Sequence, residues 1–313
     1  MFLAGDNGGT KTLMALVEPD GKVVREAIYH CADFPSFEAI IDTFAPGVVE
    51  GACFGVAGPV VAGIARITNL PWTMSEELLA AKLGAPVRLL NDLQATALGT
   101  LALSPESFAV LQAEAAPRLN GTIAVIAPGT GLGEAMLVHD GKRYMALPSE
   151  GGHSDWGPGS DEELELWKFL RDRHGAHVSV ERVISGNGLG DIYDFYRKGA
   201  PDIVHPGDRN AAIANAGLAG SDPHAVRALA LFTELIGAEA GNLALRGLCT
   251  GGVVIGGGIP PRILPALKNE RVMARFSAKG RFQPWLKGLG VRVTLESRAA
   301  LLGAAHYAIT AKE

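Results

Sequence analysis

Short apolar, β-rich runs alternate with amphipathic stretches along this chain, and glycine-rich turns mark many of the junctions. One pattern occurs twice. Phe2 to Lys22 reads as a strand, the turn Asp6-Asn7-Gly8-Gly9-Thr10, and a second strand over Leu13 to Val17 closed by Asp20-Gly21-Lys22. Ile123 to Lys142 repeats it through Pro128-Gly129-Thr130-Gly131-Leu132-Gly133, with Ala135 to Val138 leading into Asp140-Gly141-Lys142. Asp-Gly after an apolar run is a hairpin signal, so both halves are predicted to begin with the same hairpin.

Between and after these hairpins the periodicity switches repeatedly from strand to helix. Phe37 to Phe44 reads as a helix and Gly51 to Gly58 as a short buried strand ending in a Gly-Pro turn. Thr73 with Glu76 forms the spacing of a capping box, and the helix beyond it is expected to stop at Gly84. A strand over Val87 to Leu90 runs out into Asn91-Asp92, ahead of a helix over Leu93 to Thr100. Polar residues at the carboxyl end of such a strand lie where open α/β sheets bind ligands. Later come a strand over Arg143 to Leu147, a helix from Asp161 to Arg171, and a mixed stretch over 175 to 225. A long helix follows over Pro223 to Arg246, then a strand at Gly252 to Ile255, the turn Gly256-Gly257-Gly258, and a helix begun by Pro260-Pro261. A strand over Val291 to Glu296 and a helix over Ala299 to Ile309 close the chain. Strands alternating with helices predict an α/β class throughout. The Ala-, Pro- and Glu-rich segment Ser104 to Leu119 marks a domain junction near residue 110.

Glycines let backbone N–H groups converge on an anion, and an adjacent Thr adds a hydroxyl donor, so two such turns can hold a polyphosphate. Neither turn is a Walker A loop, because no Gly-Lys-Ser/Thr follows, and neither opens directly into a helix as the dinucleotide fingerprint requires. A formal charge of −5 and a pI near 5.9 give no broad electrostatic attraction to nucleic acid or an anionic membrane, which points to a small-molecule partner. Cys31, Cys53 and Cys249 are far apart, lack CxxC spacing, and read as reduced thiols of a cytoplasmic protein. No 18-residue apolar stretch is read from the sequence. His153 and Asp155 lack a third ligand at metal-site spacing.

Five stretches together resemble the bacterial glucokinase family of the actin-like ATPase superfamily. They are Gly5-Asp6-Asn7-Gly8-Gly9-Thr10; Thr68-Asn69-Leu70-Pro71-Trp72; Asn91-Asp92; Pro128 to Gly133 with Pro148-Ser149-Glu150-Gly151-Gly152-His153; and Gly251 to Gly258. The resemblance covers essentially the whole chain. It implies an α/β, two-domain actin-like (ribonuclease H-like) fold with an interdomain cleft, in which the C-terminal helix returns to the first domain, giving domains 1–110 plus 297–313 and 111–296, and it implies ATP-dependent phosphorylation of D-glucose at its 6-hydroxyl. It implies that Asp6, Gly8, Gly9, Thr10, Lys11, Gly129, Thr130, Gly131 and Gly133 hold the nucleotide phosphates, with Gly257 and Gly258 by the adenosine. Asp6 would act on Mg²⁺ through water. Asn91, Asp92, Glu150, His153 and Glu181 would contact the sugar, with Asp92 as the catalytic base; a homodimer is also implied.

Taken on residues alone, Asp92 reads slightly better as the N-cap of the helix after it than as a base, His153 as a surface or packing histidine, and Glu181 as a solvated helix-end charge. Both roles of Asp92 can coexist. A kinase of another hexose or an amino sugar remains the close alternative, since changing one hydroxyl's partner changes the substrate without touching the motifs. A sugar-sensing repressor is disfavoured, because the first phosphate turn begins at Asp6 and the charge balance is acidic. Three departures from the family pattern stand out: Asn7 replaces an apolar residue in the first turn, Leu93 stands where Phe is usual, and Gly256 extends the adenosine turn to three glycines.

Overall fold

The computed structural model describes residues 1–67, 70–116, 118–203 and 207–311. It divides into two compact units: Met1–Ser107 with Lys142–Pro148 and Glu296–Glu313, and Phe108–Gly141 with Ser149–Leu295. The segment Lys142–Pro148, expected in the second domain, falls within the first unit. Gln94 Nε2 donates to the Ala146 carbonyl at 3.0 Å and Arg143 Nη1 to the Thr310 carbonyl at 3.0 Å, tying it to that unit's helices.

The first unit is built on a five-stranded sheet in the order Val23–His30, Lys11–Val17, Phe2–Asn7, Gly51–Val56, Val87–Asn91. The first three strands are antiparallel and the last two run parallel to Phe2–Asn7. Gly51–Val56 is buried at every position, as a parallel strand covered on both faces requires. Register aligns the strand ends: Asn7 lies opposite Val56, and Val56 opposite Asn91. Asp6 and Asp92, far apart in sequence, are thereby carried to one edge of one sheet.

Helices flank the sheet. Phe37–Phe44 is capped by Ser36, whose hydroxyl accepts the Ala39 N–H at 3.4 Å. The expected capping box of Thr73 and Glu76 does not form. Thr73 pairs in the strand Thr73–Ser75, Ser75 is the N-cap of Glu76–Leu83, and the Glu76 carboxylate accepts the Leu89 N–H at 2.9 Å. That helix ends at Gly84 with φ of 64°, as expected. Of the Thr68 to Trp72 motif, Thr68 and Asn69 lie outside the described residues, while Trp72 is buried in the unit's core.

Helices Asp92–Ala102 and Ala299–Thr310 cross at two glycines. A Cβ on Gly99 would collide with the Ala299 carbonyl, and one on Gly303 with the Ala95 carbonyl. This close crossing anchors the helix that begins at Asp92. An unpacked helix would gain up to about 1 kcal/mol from Gly→Ala. Gly303→Ala is instead expected to lose roughly 1–3 kcal/mol through overpacking, seen as a lower urea midpoint. An unchanged or higher midpoint would mean that the crossing tolerates the extra methyl.

The second unit repeats the arrangement. Leu132–His139 pairs antiparallel with Ile123–Pro128, which is followed by the parallel strands Val253–Ile255 and Val291–Thr294. Phe108–Gln112, within the stretch read only as a junction, adds an antiparallel strand beside Val291–Thr294. Gln112 Nε2 locks it by donating to the carbonyls of Leu286 and Leu289 at 2.8 and 2.7 Å. Pro260-Pro261 lie in a turn, and the helix after them starts at Leu264.

The helix Pro223–Arg246 starts at the Asp222 cap with Pro in its first turn and buries Phe232, Leu235 and Ile236 in the unit's core. It contains an 18-residue window apolar enough to cross a membrane, contrary to the sequence reading, but 72% of that window is buried inside the protein. Its apolar character is that of a core helix. All three cysteines are free and buried.

Candidate active site

In the first unit the first glycine turn is held by its own backbone, the Gly8 N–H donating to the Lys11 carbonyl at 3.0 Å, while Thr10 is exposed. Asn7, the departure from an apolar residue, is fully buried and satisfied. Its Oδ1 accepts the Thr12 hydroxyl at 2.6 Å, and its Nδ2 lies 3.4 Å from Met74 Sδ. Cys31 Sγ completes the cluster, 3.4 Å from Thr12 Oγ1 and 3.6 Å from the Gly8 carbonyl. Asn7 thus anchors a small hydrogen-bonded network beneath the turn.

Asp6 is half-buried, and its carboxyl is pushed up to about 6, first by burial and then by the negative charge of Asp92. The fold therefore favours the protonated form of Asp6. The native state holds this proton more tightly than the unfolded chain, so stability falls as pH rises from the ordinary carboxylate range through about 6. Asp6→Asn is expected to raise the stability of the metal-free protein at pH 8 by roughly 1–3 kcal/mol, with the gain vanishing toward pH 4. Urea titrations at the two pH values check this; an equal effect at both would remove ionisation as the cause.

The cap of the helix Asp92–Ala102 is Asn91, not Asp92. Asn91 Oδ1 accepts the Leu93 N–H at 2.9 Å, and its own N–H donates to Gln94 Oε1 at 3.2 Å, a capping box. Asn91 Nδ2 also donates to the Gly58 carbonyl at 3.2 Å. Asp92 is the first helical residue, half-buried, with Oδ1 accepting the Leu93 N–H at 2.8 Å. Asn91 thus fixes the helix start and leaves Asp92 positioned at the head of the helix.

In the second unit the Gly129 N–H donates to the Gly131 carbonyl at 2.8 Å, and the Gly186 N–H to the Gly129 carbonyl at 2.9 Å. Glu181 is part of this turn. Its Oε2 accepts the Leu132 N–H at 2.9 Å and would lie 2.6 Å from any Cβ on Gly131. The short helix Val180–Arg182 is tied in turn to the Glu150 to His153 loop, the Val180 N–H donating to the Ser154 carbonyl at 3.0 Å. The structure therefore brings Glu150, His153 and Glu181 together through backbone bonds. Glu150 and His153 are both exposed, with Glu150 Oε2 3.9 Å from His153 Nε2. His177, which the sequence did not single out, braces this loop. Its Nδ1 lies 2.9 Å from Asp155 Oδ1, and its Nε2 3.0 Å from the His153 carbonyl oxygen.

The two glycine turns of this unit also meet. The Gly256 N–H donates to the Ile126 carbonyl at 2.7 Å, and Gly257 has φ of 85° with no room for a Cβ beside the Pro128 carbonyl. A cavity of about 370 Å³ opens there, lined among others by Thr130, Asn187, Asp208, Asn210, Gly258 and Arg262. Asn187, Asp208, Asn210 and Arg262 carried no motif; only the packing of the helices at Gly186–Arg197 and Arg209–Ala219 assembles them.

An α/β fold with glycine turns at its strand ends, an acidic pair beside one and a cavity beside the other, defines the class as a sugar kinase. The chain belongs to the glucokinase family, whose sequence model matches residues 3–311. A glucokinase of a Nostoc species is 40% identical over 97% of this chain and 98% of its own length. The crystal structure of a glucokinase from an Antarctic psychrotroph is similar with a TM-score of 0.86 and 31% identity, over 97% of each chain. A glucokinase from Balamuthia mandrillaris, solved in complex with glucose, shares the fold with a TM-score of 0.81 at 22% identity, over 98% of this chain and 93% of its own.

Proposed function

We propose that this chain transfers the γ-phosphoryl group of ATP to the 6-hydroxyl of D-glucose. The observation that carries the reading is Asp92, held by the Asn91 cap at the head of its helix and on the same sheet edge as Asp6. Asp92 takes the proton of the attacking hydroxyl, and the turns at Gly8, Gly9, Thr10 and Lys11 and at Gly129, Thr130, Gly131 and Gly133 hold the phosphates, through N–H groups other than those of Gly8 and Gly129, which donate within their own turns. Gly257 and Gly258 border the adenosine. Asn91, through its remaining amide N–H, together with Glu150, His153 and Glu181, contacts sugar hydroxyls. Two carboxyls near enough for Asp92 to raise the pKa of Asp6 fit a divalent cation, which Asp6 would hold through water. When bound, Mg²⁺ neutralises charge on the transferring group.

The repeated sheet order of the two units supports the actin-like, ribonuclease H-like assignment. The family reading also carries a homodimer acting in glycolysis in the cytoplasm, and light scattering at working concentration checks the dimer. The deciding experiment is a coupled ADP-release assay across hexoses, with and without Mg²⁺. A missing or inverted hydroxyl leaves partners unpaired at roughly 1–3 kcal/mol each, so glucose is expected to exceed galactose and fructose clearly in kcat/KM. Equal or better efficiency with fructose or N-acetylglucosamine would reassign the substrate.

A further inference from the structure

Glu134, the residue directly after the second phosphate turn, has no place in the roles above, yet its side chain is wholly buried. Both carboxyl oxygens lack a hydrogen-bond partner among the described atoms. On one side it abuts the Glu150 to His153 loop, where a Cβ on Gly151 would collide with Glu134 Oε2. On the other it faces the helix Pro223–Arg246, from which Glu239 and Arg246 approach it, Arg246 Nη1 at 3.9 Å. Arg246 is already paired with Glu239 at 2.6 Å, and Asn242 Nδ2 donates to Glu239 at 2.8 Å. Beyond these stand Lys279, bonded to Asn242 at 2.6 Å, and Arg275, paired with Glu163. Two acids therefore share one nearby guanidinium, an arrangement that one proton between them balances.

We propose that Glu134, paired with Glu239 through one shared proton, is a positioning residue: it forms the wall on which Gly151 rests and so holds Glu150 and His153 in place for the sugar. The inference rests on the reading of that loop as the sugar site. Burial first, then the charge of Glu239, pushes the Glu134 carboxyl up to about 7. Glu239 and Arg246 line a cavity of about 650 Å³, which provides a route for proton exchange. As pH rises through this range, a buried negative charge develops against Gly151, and the loop loses its wall. Sugar binding is then expected to weaken with rising pH, at most about tenfold per pH unit for one linked proton.

The test is calorimetric titration of D-glucose into the nucleotide-free protein from pH 6 to 8.5, for the parent and for Glu134→Gln, whose amide donates to Glu239 without titrating. The parent Kd is expected to rise roughly three- to tenfold across this range, with KM following and kcat not. Glu134→Gln keeps the low-pH affinity throughout. A rise of the same size in Glu134→Gln would place the titration on a group other than Glu134 and overturn the proposal, as would a flat parent profile. Absence of glucose binding by the parent at every pH overturns the functional reading itself, and this inference with it. Should Glu134→Gln fail to fold, Glu239→Gln serves: it leaves Glu134 facing Arg246 alone and moves the rise to lower pH, whereas an unmoved midpoint overturns the proposal.

Discussion

Asp92→Asn is expected to lower kcat by roughly 10² to 10⁴ while glucose still binds. The substitution keeps size and polarity and removes the proton acceptor. It also preserves the helix start, because the cap is Asn91 through its bonds to Leu93 and Gln94, not Asp92. A loss of activity in this variant therefore cannot be assigned to unfolding of the helix, and a thermal melt alongside the kinetics verifies it. The charge change has a second reading: with Asp92 neutral, the second cause of the raised Asp6 pKa disappears, so Asp6 ionises at lower pH. Near-normal turnover in a folded Asp92→Asn enzyme would remove it from the chemistry.

Glu181→Ala is expected to lower kcat/KM by roughly 10- to 150-fold, the value of one hydrogen bond to a charged acceptor. The lost bond is to the Leu132 N–H in the second glycine turn, which we propose holds the phosphates, so KM for ATP is expected to rise as well as KM for the sugar. A residue that touched only the sugar would move the sugar's KM alone. Glu181→Gln separates the two roles, because its carbonyl oxygen still accepts from Leu132 while its charge is gone. Steady-state kinetics varying each substrate decide the matter: an unchanged KM for ATP in Glu181→Ala would show that the turn stands without its carboxylate.

Local signals were read well where the cause is local. The hairpins at Asp20-Gly21 and Asp140-Gly141 formed as read, since φ of 89° and 102° at the two glycines is what such turns demand. Helix Phe37–Phe44 matched its reading because Ser36 and the apolar face act within a few residues. The misreadings each involve a distant partner. Glu76 left its expected box because the strand Val87–Asn91 presents the Leu89 N–H to it. Phe108–Gln112 passed for a linker because an edge strand is defined by its neighbour, here Val291–Thr294, nearly the whole second unit away in sequence.

The sequence by itself determined the α/β class, the repeated glycine hairpins and the family, because these rest on residues adjacent in the chain. Only the tertiary structure decided that Asn91 rather than Asp92 caps its helix, that Asp92 raises the pKa of Asp6, that Glu181 supports the second glycine turn, and that Glu134 lies behind Gly151. The physical reason is that charge, burial and hydrogen bonding depend on distance in space, and strand order and register set those distances between residues that the chain itself keeps far apart.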